Sequence, residues 1–592
     1  MNALDPTVFP YASPRPGQVE LMKAVEEAIK AGRSLAISAP SGFGKTVSVL
    51  VGALNASGRI IWFVRTHRQA ERVVEEARVI ASKGIHVTAL ALQSRTSLCP
   101  YSQGLSPEEA AVLCRERKAN CQLYRGFLAS FTPPPSLVLK PSELYAYCMN
   151  KGYCPYYAQL SLVSAVKVVT ASFHFLTSPS TRRVLQVDRD TAVVFDEVHG
   201  LPDVLSTSQS VEVTRRSVDQ ALTEAGRLGL KGGVADFIEE VGRWLSEVGE
   251  EVWEPQSLAA VLQSRTEYSL HVLAESMTYW GDEIRGEMAR KGERPKSHLY
   301  SLGQFLNKLL TSGEGYAVVT QPELAKFVCL SAKIPELGAK SSVYVSGTLD
   351  KALLEEMGVE ASMLDLSNYA SYDCKAFILD DVTSKYGERE EAAKGYARYI
   401  KLLSALPVNI AVFFPSYELL ERIKEKLRGL SKPLFYEEEG MPSLEHEALL
   451  SQFKSFGSRG GALYLGVCGG RASEGVDFPG EELDVVFIAG VPFEEPSKVI
   501  EAKLSYYTEK YGEKGHLLAY VMPALRKVAQ AAGRAFRGPG DRGVVVLGDR
   551  RFKSLLKLLP QWLKQAEVVK WRGRGDFLRR VASHLNLSLE GP

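Results

Sequence analysis

The segment Ala39-Pro40-Ser41-Gly42-Phe43-Gly44-Lys45-Thr46 constrains this chain more than any other. A Gly-rich turn between an apolar strand and a helix aims backbone N–H groups at phosphate oxygens, and the helix N-terminus adds partial positive charge. The flanks fit: Ser34–Ala39 reads as a buried strand and Thr46–Leu54 as a helical run. In that setting Ser41, Gly42 and Gly44 shape the cradle, Lys45 reaches the β- and γ-phosphates and the Thr46 hydroxyl binds Mg²⁺. A partner box, Asp196-Glu197-Val198-His199, follows the apolar run Ala192–Phe195 about 150 residues later. There Asp196 would hold Mg²⁺ through water and Glu197 would polarise the attacking water.

Short β-branched runs followed by helical patterns recur in both halves. Candidate buried strands are 34–39, 60–64, 192–195, 342–346, 409–414, 462–467, 484–489 and 543–547. Near-continuous apolar strands alternating with helices predict an α/β fold with parallel sheets covered on both faces, one sheet in each half. Two stretches break the alternation. Residues 95–158 hold cysteines and a Pro-rich loop, and residues 205–338 read as mostly helical, with Phe237, Val241, Trp244, Leu245 and Val248 forming one apolar core stripe.

The second half contributes Gln530-Ala531-Ala532-Gly533-Arg534-Ala535-Phe536-Arg537. On one continuous helix, Gln530, Arg534 and Arg537 share a face. Alone this is a solvated basic face. Beside a phosphate loop it reads as a pair of guanidinium groups that stabilise charge on a transferring phosphoryl group when two domains close.

Of eight cysteines, five lie between Cys99 and Cys154, where even placement would give about 0.8. Metal ligation explains that bias. Thiolates at Cys99, Cys114, Cys121 and Cys154 suit tetrahedral zinc or a [4Fe–4S] cluster, and spacing alone leaves both open. Cys148 competes with Cys154 as a ligand but lies in a helical run, Ser142–Lys151, where a buried free thiol is ordinary.

With 592 residues the chain has room for three or four domains. It has no apolar run of 18 or more residues and no signal-peptide pattern, so the reading is cytosolic with no membrane span. Net charge is only +2, so nucleic-acid binding would need local basic grooves rather than overall charge. Nothing signals oligomerisation, and a monomer is expected.

The motif order resembles that of superfamily 2 helicases. Gln18 lies in Arg15-Pro16-Gly17-Gln18 upstream of the phosphate loop. Arg65-Thr66-His67 resembles the first DNA-contacting motif, Ser346-Gly347-Thr348-Leu349 the third, and Phe413-Phe414-Pro415-Ser416-Tyr417 the fourth. Gly469 to Phe478 resembles the fifth and contains Asp477. Ser94-Arg95-Thr96-Ser97-Leu98-Cys99-Pro100 and Gly152-Tyr153-Cys154-Pro155-Tyr156-Tyr157 resemble the flanks of the iron–sulfur domain in XPD helicases.

That resemblance implies a [4Fe–4S] cluster held by Cys99, Cys114, Cys121 and Cys154. It implies ATP with Mg²⁺ at Gln18, Ser41, Gly42, Gly44, Lys45, Thr46, Asp196 and Asp477, with Lys45, Glu197, Gln530, Arg534 and Arg537 catalytic. Single-stranded DNA would meet Arg65, Thr66, His67, Arg95, Tyr156 and Tyr157. The implied domains are a first RecA-like domain (1–94, 159–204 and 339–372), an iron–sulfur domain (95–158), a helical arch (205–338) and a second RecA-like domain (373–592). The implied activity is ATP-driven 5′ to 3′ unwinding of duplex with a 5′ tail, in DNA repair. A DinG- or FANCJ-like helicase and an ATP-gated single-stranded DNA clamp are the competing readings.

Overall fold

The computed structural model describes residues 9–588 apart from 41, 370–371, 475–477, 479 and 537–539. Strands β1 (Leu35–Ser38), β2 (Arg59–Val64), β3 (Ala89–Ala91), β4 (Val138–Leu139), β5 (Val168–Ser172), β6 (Thr191–Asp196), β7 (Ser341–Ser346) and β8 (Ser362–Asp365) form one sheet. Its order is β8-β1-β7-β6-β2-β5-β3-β4, all parallel. The central strands are almost wholly apolar and buried, as a sheet covered on both faces requires. In the middle of this sheet β1, β7 and β6 lie side by side, which brings the phosphate loop, the acid box and Ser346 to one edge.

The second lobe repeats the plan. Strands β9 (Asp373–Leu379), β10 (Ile410–Phe414), β11 (Leu434–Tyr436), β12 (Leu463–Val467), β13 (Val485–Ile488), β14 (Arg542–Leu547) and β15 (Glu567–Val569) are parallel in the order β11-β12-β10-β13-β14-β9-β15. All eight strands expected from the sequence are present. Of those the sequence did not suggest, β4 is short and β11 half-exposed, while β5 and β9 are five and seven residues long and were missed outright.

The stretch 205–338 is mostly helical, as expected, with one addition. It contains an antiparallel sheet of Val211–Thr214, Leu324–Cys329, Tyr316–Gln321 and Glu251–Trp253, in that order. The hairpin turns through Pro322 and Glu323, which takes a left-handed φ of 63°. Proline ends any helix there, so the apolar runs on both sides pair as strands. The helical part includes Gly233–Glu247, whose Phe237, Val241, Trp244 and Leu245 are buried, and Leu270–Lys291.

This insertion touches both of its neighbours. Its sheet packs Ala317, Val319, Val328 and Leu330 against Ala502 and Val499 of the second lobe. Its Leu270–Lys291 helix meets the Pro107–Arg117 helix, which carries Cys114, through Val112, Leu113 and Ala289. Ion pairs Arg115–Asp282 (2.8 Å), Arg290–Glu116 (2.5 Å) and Arg294–Glu109 (2.8 Å) rim that contact.

Candidate functional site

The phosphate loop leaves β1 and enters the Lys45–Ala56 helix with Gly42 and Gly44 in left-handed conformation (φ 71° and 85°). At Gly44 a Cβ would meet Gln18 Nε2 at 2.2 Å, so only glycine fits. Gln18 is buried and spends its amide on the loop region: Nε2 donates to Phe43 O (2.8 Å) and Oε1 accepts from Arg15 N (2.7 Å). Arg15 Nη1 donates to Gly42 O at 2.6 Å. The loop is therefore braced from behind. Lys45 Nζ donates to Ala39 O (3.1 Å) and Pro40 O (3.3 Å) and lies 3.7 Å from Glu197 Oε1. Thr46 is the second residue of the helix, and Ser41 lies outside the described residues.

Asp196 ends β6, and Glu197 turns out of the strand with a left-handed φ of 50°. A non-glycine residue in that region carries backbone strain, and such strain collects at working sites. Burial, then neighbouring Glu197, pushes the Asp196 acid up. Burial pushes Glu197 up as well, but Lys45, His199 and Arg534 outweigh it and hold its acid below the usual carboxylate range. Burial brings His199 down to about 4, leaving a neutral imidazole. Its Nδ1 lies 2.7 Å from Ser346 Oγ and 3.3 Å from Glu197 Oε2, and Ser346 in turn accepts Thr348 N at 3.1 Å.

Arg534 reaches this group from the second lobe. Its Nε donates to Ser473 O (2.9 Å), and its positive charge bears on Glu197. The single helical face expected for Gln530, Arg534 and Arg537 is not present. The helix runs Met522–Ala532, Gly533–Ala535 form a 3₁₀ turn and Phe536 is extended. Phe536 stacks on Tyr372 (4.8 Å) and meets Trp562 edge-on (5.5 Å), and that aromatic anchor pulls the chain out of the helix. Arg537 and Asp477 lie outside the described residues.

Sequence reasoning missed a second contact between the lobes. Arg526 Nη1 and Glu356 Oε2 pair at 3.1 Å with both residues buried, and Tyr507 Oη donates to Glu356 Oε1 at 2.9 Å. Arg526 is one helical turn before Gln530, but nothing local marks Glu356, 170 residues away, as its partner. Glu437 was missed too. It is buried, accepts Val467 N at 2.7 Å and Tyr464 Oη at 3.0 Å, and a Cβ at Gly470 would meet it at 2.7 Å.

Cys99, Cys114, Cys121 and Cys154 come from four separate segments and share one field. Burial raises the Cys99 thiol, with Cys114 and Cys121 adding to it. Burial raises Cys154 to about 11, with Cys121 and Cys99 adding, while the Tyr156 and Tyr157 backbone N–H groups donate to its sulfur. Those N–H groups open the Pro155–Leu162 helix, an arrangement that favours thiolate. Cys148 is fully buried in the core of the first lobe beside Leu144 and Ala158. Among the described residues no three His, Cys, Asp or Glu side chains stand together closely enough to hold one metal ion. Four thiols from separate segments are a donor set of the kind that tetrahedral zinc or a cluster takes.

The expected DNA contacts fall into two groups. Arg65 follows β2 and packs along Gly200, and Thr66 caps the His67–Ser82 helix, with Gln69 completing a capping box. Around the cysteines, the Arg95 guanidinium lies 4.3 Å above the Tyr156 ring, and Tyr157 packs on Tyr124 (4.6 Å) with its hydroxyl 4.0 Å from Cys114 Sγ.

Two parallel-sheet lobes with a phosphate loop, an acid box and an arginine facing the acid from the other lobe define a helicase-class ATPase. The DEAD_2 family model matches residues 62–218 and the Helicase C-terminal domain model residues 399–566. The ATP-dependent DNA helicase XPD of Sulfolobus acidocaldarius is 26% identical, over 91% of this chain and 96% of its own. The General transcription and DNA repair factor IIH helicase subunit XPD/RAD3 of Saccharomyces cerevisiae is 23% identical, over 95% and 89%. A solved XPD helicase superimposes with a TM-score of 0.72 at 21% identity, covering 95% of this chain and all of the other. The structure of S. tokodaii Xpd4 gives 0.62 at 18%, covering 94% of this chain. Together these matches support an XPD-type helicase.

Proposed function

We propose that this chain is an ATP-dependent DNA helicase that moves 5′ to 3′ on single-stranded DNA and unwinds duplex carrying a 5′ tail, in repair or transcription. The observation that carries the reading is that both lobes meet at one site: Lys45 and Glu197 of the first stand 3.7 Å apart, and Arg534 of the second lies near enough for its charge to act on Glu197. Hydrolysis then depends on lobe closure, and a cycle of closure and release is what moves a strand. Lys45 and Thr46 would hold the phosphates and Mg²⁺, joined by Asp196 and, from the second lobe, Asp477. Gln18 would act mainly by bracing the loop. Glu197 would orient water, while Arg534, Gln530 and Arg537 would meet charge on the γ-phosphoryl group.

Cys99, Cys114, Cys121 and Cys154 would hold a [4Fe–4S] cluster whose contribution is to cross-link distant segments, as structural metals do. Hydrolysis needs no redox step. Arg65, Thr66 and His67 would take strand phosphates. Arg95, Tyr156 and Tyr157 would guide the strand past the cluster domain, with Tyr157 also packing against Cys114. The protein would work as a monomer.

The test is ATP hydrolysis with and without a poly-dT strand. Strand-stimulated hydrolysis should fall by about 10³-fold or more in Arg534→Ala with nucleotide binding kept. Loss of nucleotide binding with an unchanged rate per bound ATP would contradict the role.

A further inference from the structure

Glu437 follows β11 and is 2% exposed. Its two carboxyl oxygens gather separate segments of the second lobe. Oε1 accepts Val467 N at 2.7 Å, at the end of β12, and Tyr417 Oη at 3.4 Å, from the start of the Tyr417–Lys426 helix. Oε2 accepts Tyr464 Oη at 3.0 Å and lies 3.3 Å from Nε2 of His446, on the Ser443–Lys454 helix. Among the described residues no Lys or Arg pairs with it. A buried carboxyl group held by tyrosines, a histidine and a backbone N–H adds less to stability than a well-packed apolar side chain of the same shape. Packing alone therefore does not account for Glu437.

From Glu437 a hydrogen-bond chain runs to the ATP site. Val467 N donates to Glu437, and Val467 O accepts Gly470 N at 2.9 Å. Gly470 O accepts Ser473 Oγ at 2.9 Å, and Ser473 O accepts Arg534 Nε at 2.9 Å. The charge of Arg534 then bears on Glu197 of the first lobe. The turn leaves no slack. Gly469 takes a left-handed φ of 82°, and a Cβ at Gly470 would stand 2.7 Å from Glu437 Oε1 and 2.9 Å from Val467 O. Ala472 and Ser473 are fully buried, which clamps the turn on its other side.

We infer that Glu437 is a positioning residue for ATP hydrolysis: through the turn 467–473 it sets where the Arg534 guanidinium stands relative to Glu197. It acts through another group and is not itself catalytic. A charge-stabilising group works only where the charge develops, and a displacement of about 1 Å from a distant change can lower a rate about 10²-fold. The inference deepens the reading of Arg534 given above and rests on it.

The test compares strand-stimulated hydrolysis by the full chain in Glu437→Met, Glu437→Gln and Ser473→Ala. Met fills the space but removes the acceptor for Val467 N, Gln keeps an acceptor, and Ser473→Ala cuts the chain beyond Gly470. Glu437→Met should lower kcat about 10- to 100-fold and Ser473→Ala about tenfold, each with KM for ATP within about twofold of the parent. Glu437→Gln should recover most of the rate. The double variant Glu437→Met with Ser473→Ala should be no slower than Glu437→Met, because both cut one chain. A parental kcat in folded Glu437→Met, or effects that multiply in the double variant, would overturn the inference. Should Glu437→Met fail to fold, Ser473→Ala decides alone, and a parental kcat there overturns it. Arg534→Ala runs beside them. A parental rate in Arg534→Ala would sink the reading of Arg534 itself, whereas a slow Arg534→Ala beside parental Glu437 and Ser473 variants would sink only the positioning role.

Discussion

Lys45 Nζ stands 3.7 Å from Glu197 Oε1, so the phosphate loop and the acid box face each other directly across the edge of the first sheet. Lys45 keeps Glu197 ionised, which is the form able to accept a proton from water. Replacing Glu197 with Gln should lower single-turnover hydrolysis by about 10²- to 10⁴-fold with little change in nucleotide affinity. Lys45→Ala should weaken nucleotide binding itself. Fluorescent-nucleotide titration beside single-turnover rates separates the two.

Arg526 and Glu356 form a buried pair across the lobes at 3.1 Å. Glu356→Ala leaves the buried Arg526 guanidinium with only its longer pair to Asp350 at 3.5 Å, so the loss should approach the roughly 3–5 kcal/mol of a broken buried pair. Denaturant unfolding should report that loss. The further change Arg526→Met should recover part of it by removing the stranded charge.

Cys148 and Cys154 should behave in opposite ways. Cys148 is fully buried among apolar side chains, and burial pushes its thiol up to about 12. Cys148→Ala should retain iron and visible absorption in protein purified without oxygen. Cys154→Ser should lose both. Iron retention in Cys154→Ser and loss in Cys148→Ala would reverse the ligand assignment.

The contact between the cluster-bearing helix and the inserted domain is rimmed by Arg115–Asp282, Arg290–Glu116 and Arg294–Glu109, whose guanidinium groups are about half exposed or more. Exposed pairs are screened by salt. Tryptic cleavage between Lys291 and Lys296 should therefore quicken as salt rises, and Asp282→Lys should produce the same rate at low salt.

Asp549 is fully buried in the second lobe. It accepts Ser384 N (2.8 Å), Arg551 N (2.9 Å) and Arg551 Nη2 (2.7 Å). Burial pushes its acid up, but Arg551 and the backbone N–H groups outweigh it and leave it below the ordinary value. A lowered carboxylate contributes stability that is present above about pH 3.9 and is lost as pH falls through the folded value. Stability of the parent minus Asp549→Asn, measured between pH 7 and pH 3, should be flat at first and shrink only at the acid end.

The sequence was legible where chemistry is local. The phosphate loop and Asp196-Glu197 each sit within a short segment at a strand end, so pattern alone placed them on the sheet edge. The inserted sheet was not legible, because strands such as Glu251–Trp253 are three residues long and become strands only through their neighbours. The end of the arginine helix was also hidden, since Phe536 leaves the helix to stack on Tyr372, far away in sequence. Arg526 with Glu356 is the same case: side chains from different lobes acquire their meaning when the lobes meet.

The most direct test of the account is unwinding by oxygen-free protein of matched duplexes bearing either a 5′ or a 3′ single-stranded tail. The account predicts ATP-driven separation of the 5′-tailed duplex alone, abolished in Glu197→Gln. Separation of the 3′-tailed duplex alone would contradict the direction. No separation of either, with strand-stimulated hydrolysis intact, would contradict the helicase itself and leave an ATP-gated clamp.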